Sequence, residues 1–274
     1  MNVAIIGCGY VGTAVARHWL QDKGLVVTVT TTTPERVPVL EAMGLRVVVV
    51  KGNDSEGLQS VVQNQDTVLL SVGAANAQVY EEAYLQTAQT LISVLKQTTT
   101  VEQVIYTSSY ALYGNRGGDW VDETSPIAPG TPNAEILAET EQVLLSASSP
   151  QMRVCLLRLG GIYGKGRELV KIFSRIAGAT RPGNGSEATN WIHLDDIVAA
   201  IEFARLHRLE GIYNLVDDAQ LTYRELLNQV CEQHGLTKVS WDESLPSKRS
   251  YNTRVSNQKI KDVGYQLIQP ERIV

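Results

Sequence analysis

Short β-branched runs alternate with longer amphipathic stretches along most of this chain. The runs Val3–Ile6, Val26–Thr30, Leu45–Val50, Thr67–Ser71, Gln103–Thr107 and Val154–Leu159 predict strands, because branched side chains suit a pleated, buried surface. Between them, Val11–Asp22, Pro34–Met43, Val79–Gln97 and Pro132–Ser146 carry helical spacing, as does Asp195–Leu206 later on. Strands apolar on both faces belong to a parallel sheet covered on both sides. The connections are then right-handed crossovers, and the expected fold is α/β, a Rossmann-type doubly wound parallel sheet with a small C-terminal substrate lobe. Residues 1–159 read as the Rossmann core, and 160–274 as a mixed segment that partly returns to the core and partly forms the smaller lobe. Gly160–Asn190 and Leu236–Tyr251 are rich in Gly, Pro, Ser and charge, whereas Trp191–Leu206 and Gly211–Leu215 read as returning to the main sheet.

The first strand ends in Gly7-Cys8-Gly9-Tyr10-Val11-Gly12, a G-x-G-x-x-G that opens a helix. The first glycine makes the tight turn, the second admits a pyrophosphate against bare backbone, and the third lets helix and strand pack closely. The helix N-terminus, with its unpaired N–H groups and positive dipole end, then faces the phosphates. An NAD site places an acid roughly 20 residues past the glycines, on the ribose hydroxyls. Here Thr30-Thr31-Thr32-Thr33-Pro34-Glu35-Arg36 stands there instead. Thr31 offers a hydroxyl and Arg36 a guanidinium fork to a 2′-phosphate, so NADP is favoured over NAD. Asp54, after the third strand, is placed either to meet the adenine edge or to cap the next helix; Gly73 and Ala74 follow the fourth strand and leave room for the dinucleotide.

Composition narrows the partners. The 274 residues carry 24 Lys and Arg against 29 Asp and Glu, a net charge of −5. Such a chain has no general attraction to nucleic acid or to anionic membranes. Cys8, Cys155 and Cys231 are widely spaced, which points away from a metal site or disulfide framework and toward a reducing compartment. No apolar run reaches the roughly 18 residues of a membrane span, and a cytoplasmic protein with a small-molecule ligand is expected.

At Tyr106-Thr107-Ser108-Ser109-Tyr110-Ala111-Leu112-Tyr113-Gly114 the sequence resembles the extended short-chain dehydrogenase/reductases, the NAD-dependent epimerase/dehydratase family. Glu123, Pro126, Glu141, Leu157-Arg158-Leu159-Gly160-Gly161-Ile162-Tyr163-Gly164, Trp191-Ile192-His193-Leu194-Asp195-Asp196 and Gly211-Ile212-Tyr213-Asn214-Leu215 continue the resemblance in order. It implies a Ser that orients the substrate oxygen, here Ser109, and a Tyr that exchanges a proton while nicotinamide gives or takes hydride. It also implies a Lys four residues after that Tyr to lower its pKa, since a free phenol near pKa 10 is a poor base at neutral pH. Counting back from Glu141 puts those two positions at about Asn133 and Leu137, and none of the eleven tyrosines is followed by Lys at that spacing. The chain therefore looks like an atypical branch. A homodimer through the helices at Val79–Gln97 and Pro132–Ser146 is a further implication of the resemblance.

Tyr113 is the leading substitute proton donor, with Tyr110 beside it; the bland alternative packs the Tyr113 ring under the turn. Lys165 and Arg167 lie in a loop the family uses near substrate, and Arg249 lies in a basic stretch, Lys248–Arg254, suited to a phosphate or carboxylate; all three also read as solvated loop charges. His193 reads as structural ahead of acid–base, and Asp195 as a helix cap. Two functions fit. One is an NADP(H)-dependent oxidoreductase or epimerase-like enzyme acting on a small polar substrate by a non-standard route. The other is a non-catalytic dinucleotide-binding redox sensor or assembly protein.

Overall fold

The computed structural model describes residues 1–97 and 100–274. The chain divides into two compact units: Met1–Ser109, Thr131–Arg158 and Val198–Tyr213 form the first, and Tyr110–Gly130, Leu159–Ile197 and Asn214–Val274 the second.

The first unit is built on a seven-stranded sheet. Its strands are β1 (Asn2–Ile6), β2 (Val26–Thr31), β3 (Arg46–Val49), β4 (Thr67–Leu70), β5 (Gln103–Ser109), β6 (Arg153–Leu159) and β7 (Gly211–Leu215). They lie in the order β3-β2-β1-β4-β5-β6-β7, with parallel pairing from β3 through β5. The order reverses between β1 and β4, and ligands of such sheets bind beyond the strand C-termini at that switch point. The helices are α1 (Tyr10–Trp19), α2 (Val37–Glu41), α3 (Ser55–Val62), α4 (Thr87–Leu95) and α5 (Pro132–Leu145).

Strand alternation sorts the core into two faces. Ala4, Ile6, Val68, Leu70, Val104 and Leu156 pack against Leu58, Val62, Leu91 and Leu95 of α3 and α4. On the remaining flank, the Trp19 indole of α1 donates to Glu202 at 2.8 Å, and the Gln103 amide of β5 donates to the Ala204 carbonyl at 2.8 Å. Both acceptors sit on one long helix.

The elements follow the hydrophobic pattern, with three departures. Pro34–Met43 is a 3-10 turn at Pro34–Arg36 followed by the short α2. Val79–Gln97 begins as a 3-10 turn and a π-helical turn, Glu82–Gln86, before α4. Helix α3 follows β3 although the pattern marked only a cap there; Asp54 accepts from Gly57 N at 3.0 Å and so supplies that cap.

In the second unit, Gly161–Tyr163 pairs with Trp191–His193, Thr180–Pro182 with Ser240–Asp242, and Asn115–Val121 with Asn252–Val255. Gly211–Leu215 joins the main sheet as read, whereas Trp191–His193 pairs with this short strand instead. Helices α6 (Leu169–Phe173) and α8 (Tyr223–Gln233) enclose Tyr163, Leu169, Leu226 and Val230. Helix α7 (Leu194–Leu206) starts one residue before Asp195, so Asp195 lies in its first turn. Asp196, fully buried, accepts from the Ile268 and Gln269 amides at 2.6 and 3.0 Å. Asp217 and Arg272 form a buried two-pronged pair at 2.7 and 2.9 Å. Burial pushes the Asp217 carboxyl up, and Arg272 opposes that shift.

One buried charge cluster ties β5, β6 and α5 together. Glu141 of α5 accepts from Arg158 Nη2 at 2.7 Å, from Arg158 Nε at 3.0 and 3.2 Å, and from Ser108 Oγ at 2.6 Å. Removing one partner strands the other charge in the interior. Glu141→Ala is therefore expected to lower stability by about 3–5 kcal/mol, and Ser108→Ala by about 1–3 kcal/mol. Urea unfolding of each variant measures both, and near-equal costs would show that the ion pair matters no more than the Ser108 hydrogen bond.

Candidate functional site

Strand β1 runs straight into the glycine turn. Gly7 has φ +95°, and a Cβ there would lie 2.5 Å from the Ser71 carbonyl oxygen of the neighbouring strand end. A Cβ on Gly12 would lie 2.2 Å from the Gly7 oxygen. Those two glycines are dictated by the protein itself. Gly9 differs: its Cβ would meet no protein atom within 4 Å. It is the N-cap of α1, contributes no side-chain cap, and no acid occupies the first turn. A helix end without a side-chain cap or a first-turn acid is electrostatically suited to an anion.

The turn is fixed from the β2 side. Gly7 N donates to Thr30 Oγ1 at 3.0 Å and Cys8 N to the Thr30 carbonyl at 2.9 Å. Arg36 donates to the Cys8 carbonyl at 2.5 Å and to Thr13 Oγ1 at 3.2 Å. Cys8 is buried against Thr13, and burial pushes its thiol up, so it stays protonated at neutral pH.

A cleft of about 550 Å³ opens along this turn, bordered by Gly9, Thr32, Arg36, Lys51, Gly73 and Glu82 among others. A second cavity of about 470 Å³ shares Thr32, Val50 and Lys51 with it and adds Asn53 and Asp54. Among the residues singled out from sequence, the cleft brings together Gly7, Gly9, Thr31, Arg36 and Gly73. Tyr10 is exposed, whereas Val11 and Gly12 are buried in the helix packing. Thr31 is buried, and its hydroxyl accepts from Thr33 N at 3.1 Å, while Thr32 and Thr33 are exposed on the cleft. Ala74 is half-buried and its backbone is hydrogen-bonded to the Tyr84 hydroxyl.

Sequence reading missed Lys51, Glu82 and Thr87. A Cβ on Gly52 would lie 1.9 Å from Thr87 Oγ1, a close approach between segments that no local motif announces. The signal available was the Lys-Gly pair directly after a strand.

The residues nominated for chemistry are distributed differently. Ser109 ends β5 and is half-buried. Tyr113 is fully buried among Val121, Val216 and Val255, and its hydroxyl donates to Asn214 Oδ1 at 2.8 Å. Tyr110 is half-buried, edge-on to Tyr251 at 5.9 Å; burial pushes its phenol up while the Arg249 charge pulls it back. On α5, Leu137 is buried and Asn133 half-buried. In the second unit, Lys165 and Arg167 are exposed on a turn closed by Arg167 N donating to the Gly164 carbonyl at 2.8 Å. The Arg249 guanidinium stacks 4.2 Å from the Tyr223 ring centre. His193 Nδ1 accepts from Asp195 N at 3.2 Å, so the side chain of His193 caps α7. No helix among the described residues is long and apolar enough to cross a membrane.

Residues 3–215 match the NAD dependent epimerase/dehydratase family. An epimerase family protein of Mycobacterium leprae is 33% identical over 130 residues, covering 46% of this chain and 42% of the relative. A dTDP-glucose 4,6-dehydratase of Streptomyces griseus is 26% identical over 211 residues, covering 73% of this chain and 62% of the relative. The chain thus spans less than two thirds of the length of these curated relatives. The fold is shared with a UDP-glucose 4-epimerase of Thermus thermophilus solved with NAD, at TM-score 0.77 and 24% identity over 98% of this chain and 94% of that one.

The three glycines separate by stability. Gly12→Ala forces a Cβ into backbone and is expected to cost about 1–3 kcal/mol, whereas Gly9→Ala stays within about 0.5 kcal/mol of the parent. Chemical denaturation of both variants checks this; equal losses would mean that Gly9 serves packing.

Proposed function

The chain belongs to the NAD-dependent epimerase/dehydratase family, and we propose that it binds NADP(H), ahead of NAD(H), in the cleft along Gly7–Gly12. The reading extends to an oxidoreductase or epimerase-like enzyme acting on a small polar substrate, in the cytoplasm. One observation carries it. Gly9 is bare backbone that the protein does not need bare, at the open N-terminus of α1 and on the wall of a cleft of about 550 Å³. A pyrophosphate is the group that such a helix end accommodates.

Around that anchor the residues have separate tasks. The first-turn amides of α1 and the Gly9 backbone receive the phosphates. Arg36 holds the turn through the Cys8 carbonyl and brings positive charge to the end of β2, where Thr32 and Thr33 expose hydroxyls and the nearest acid, Glu35, lies in the following 3-10 turn. That end of β2 suits a 2′-phosphate better than bare ribose hydroxyls. Bound there, nicotinamide would supply or accept a hydride. Ser109, at the end of β5, is the residue that would orient a substrate oxygen. Buried Leu137 and the core-bound Tyr113 support chemistry that runs without a Tyr-x-x-x-Lys pair.

The sealed Tyr113 hydroxyl also favours a second reading, a dinucleotide-binding sensor or assembly protein that performs no turnover. Fluorescence titration with NADPH and NADH tests the binding. NADPH is expected to bind more tightly, with Gly9→Ala losing both ligands by about 10-fold or more and Arg36→Ala, which also loosens the glycine turn, weakening both ligands but NADPH the more. Equal affinities for the two ligands would remove the NADP assignment. NADPH oxidation across a panel of carbonyl compounds then separates enzyme from sensor. Turnover slowed about 100-fold by Ser109→Ala supports the enzyme, and tight binding with no turnover supports the sensor.

A further inference from the structure

Lys51 stands where the cleft of about 550 Å³ and the cavity of about 470 Å³ meet, and with Thr32 it borders both. Its position follows from the sheet. Thr31 of β2 pairs with Val49 of β3, and Val50 N donates to the Thr31 carbonyl at 3.1 Å, so the next residue leaves the sheet beside the exposed threonines. The backbone there is fixed, since Gly52 packs directly on Thr87. Across the cleft, Glu82 begins the π-helical turn ahead of α4, and its carbonyl accepts from the same Thr87 hydroxyl at 3.1 Å. Such turns recur at functional sites because they re-aim side chains.

The two side chains meet loosely. Lys51 Nζ lies 3.6 Å from Glu82 Oε1, with 70% and 39% of the side chains exposed. A solvated pair of that kind contributes little and re-forms readily with other partners. Arg36 differs, for it already commits both terminal nitrogens to the glycine turn. Among the described residues that line the cleft, Lys51 is thus a cation that can change partners without loosening the glycine turn.

We propose that Lys51 binds the 2′-phosphate of NADP(H) by leaving Glu82, and that this exchange of partners sets the preference for NADP(H) over NAD(H). The inference rests on the dinucleotide reading above. A phosphate offers more charge and more acceptor oxygens to an ammonium than one carboxylate does. NAD(H) has no such group, leaves the Lys51–Glu82 pair intact, and gains nothing from it. Glu82 then acts against the phosphate twice, by holding the cation and by repelling the incoming charge.

Fluorescence titration of the full chain with NADPH and NADH decides the matter, using Lys51→Gln and Glu82→Gln, with thermal melts to show that both remain folded. Lys51→Gln is expected to weaken NADPH about 10-fold while NADH stays within about 2-fold. Glu82→Gln is expected to tighten NADPH several-fold and leave NADH unchanged. Raising salt should erode the NADPH advantage in the parent protein and not in Lys51→Gln. Equal shifts for the two ligands, or no shift in either variant, would overturn the role of Lys51 while leaving the dinucleotide site standing. A parent protein that binds neither ligand, or both equally, would instead remove the underlying assignment and this inference with it.

Discussion

The glycine turn after β1 is held from two neighbouring strands at once, and the first unit is arranged around that fact. Thr30 at the end of β2 accepts both the Gly7 and Cys8 amides, one on its hydroxyl and one on its carbonyl. On the other flank, the Ser71 carbonyl beyond β4 comes so close that Gly7 has no room for a side chain. Arg36 closes the arrangement from α2's approach by bonding the Cys8 carbonyl. The turn is thus held by the protein's own contacts, and a helix N-terminus fixed in this way is suited to a phosphate.

That local constraint works only because the sheet places its neighbours correctly. With the order β3-β2-β1-β4-β5-β6-β7, β1 has β2 on one side and β4 on the other, and the crevice opens where the order reverses. The interior charges serve the same end at a distance. Glu141, Arg158 and Ser108 bind α5 to β5 and β6, so that the strand ending in Ser109 is anchored one residue before its end. Asp217 with Arg272 does comparable work in the second unit, where it fixes the last residues of the chain. Each buried charge there is stabilised by its partner and costly without it.

The contrast between Tyr113 and Lys51 shows how burial sorts candidate residues. A tyrosine beside Ser109 invites a chemical role, yet its ring fills a core and its hydroxyl bonds Asn214. A lysine after a strand attracts no notice in a sequence, yet its ammonium stands over the cleft in a weak and reversible pair. Reactivity and recognition depend on what surrounds a group, and the surroundings are assembled from distant segments.

Most of the layout of the first unit is legible in the amino-acid order alone. Strand and helix periodicity, the spacing of Gly7, Gly9 and Gly12, and the missing acid after β2 are local patterns, and local patterns are governed by backbone sterics and by which face a residue turns to the core. The amino-acid order likewise marked Gly211–Leu215 as a strand of the main sheet. The remainder depends on how distant segments pack. That packing assigned Trp191–His193 to Gly161–Tyr163, gave Asp54 to a helix cap and His193 to another, and buried the Tyr113 hydroxyl. It also set Gly52 against Thr87 and Lys51 opposite Glu82. These outcomes join segments tens of residues apart, and no pattern within a short window encodes which side chain will share a cleft with which. That is why the glycine turn is legible in the sequence, while the Lys51–Glu82 pair across the cleft is not.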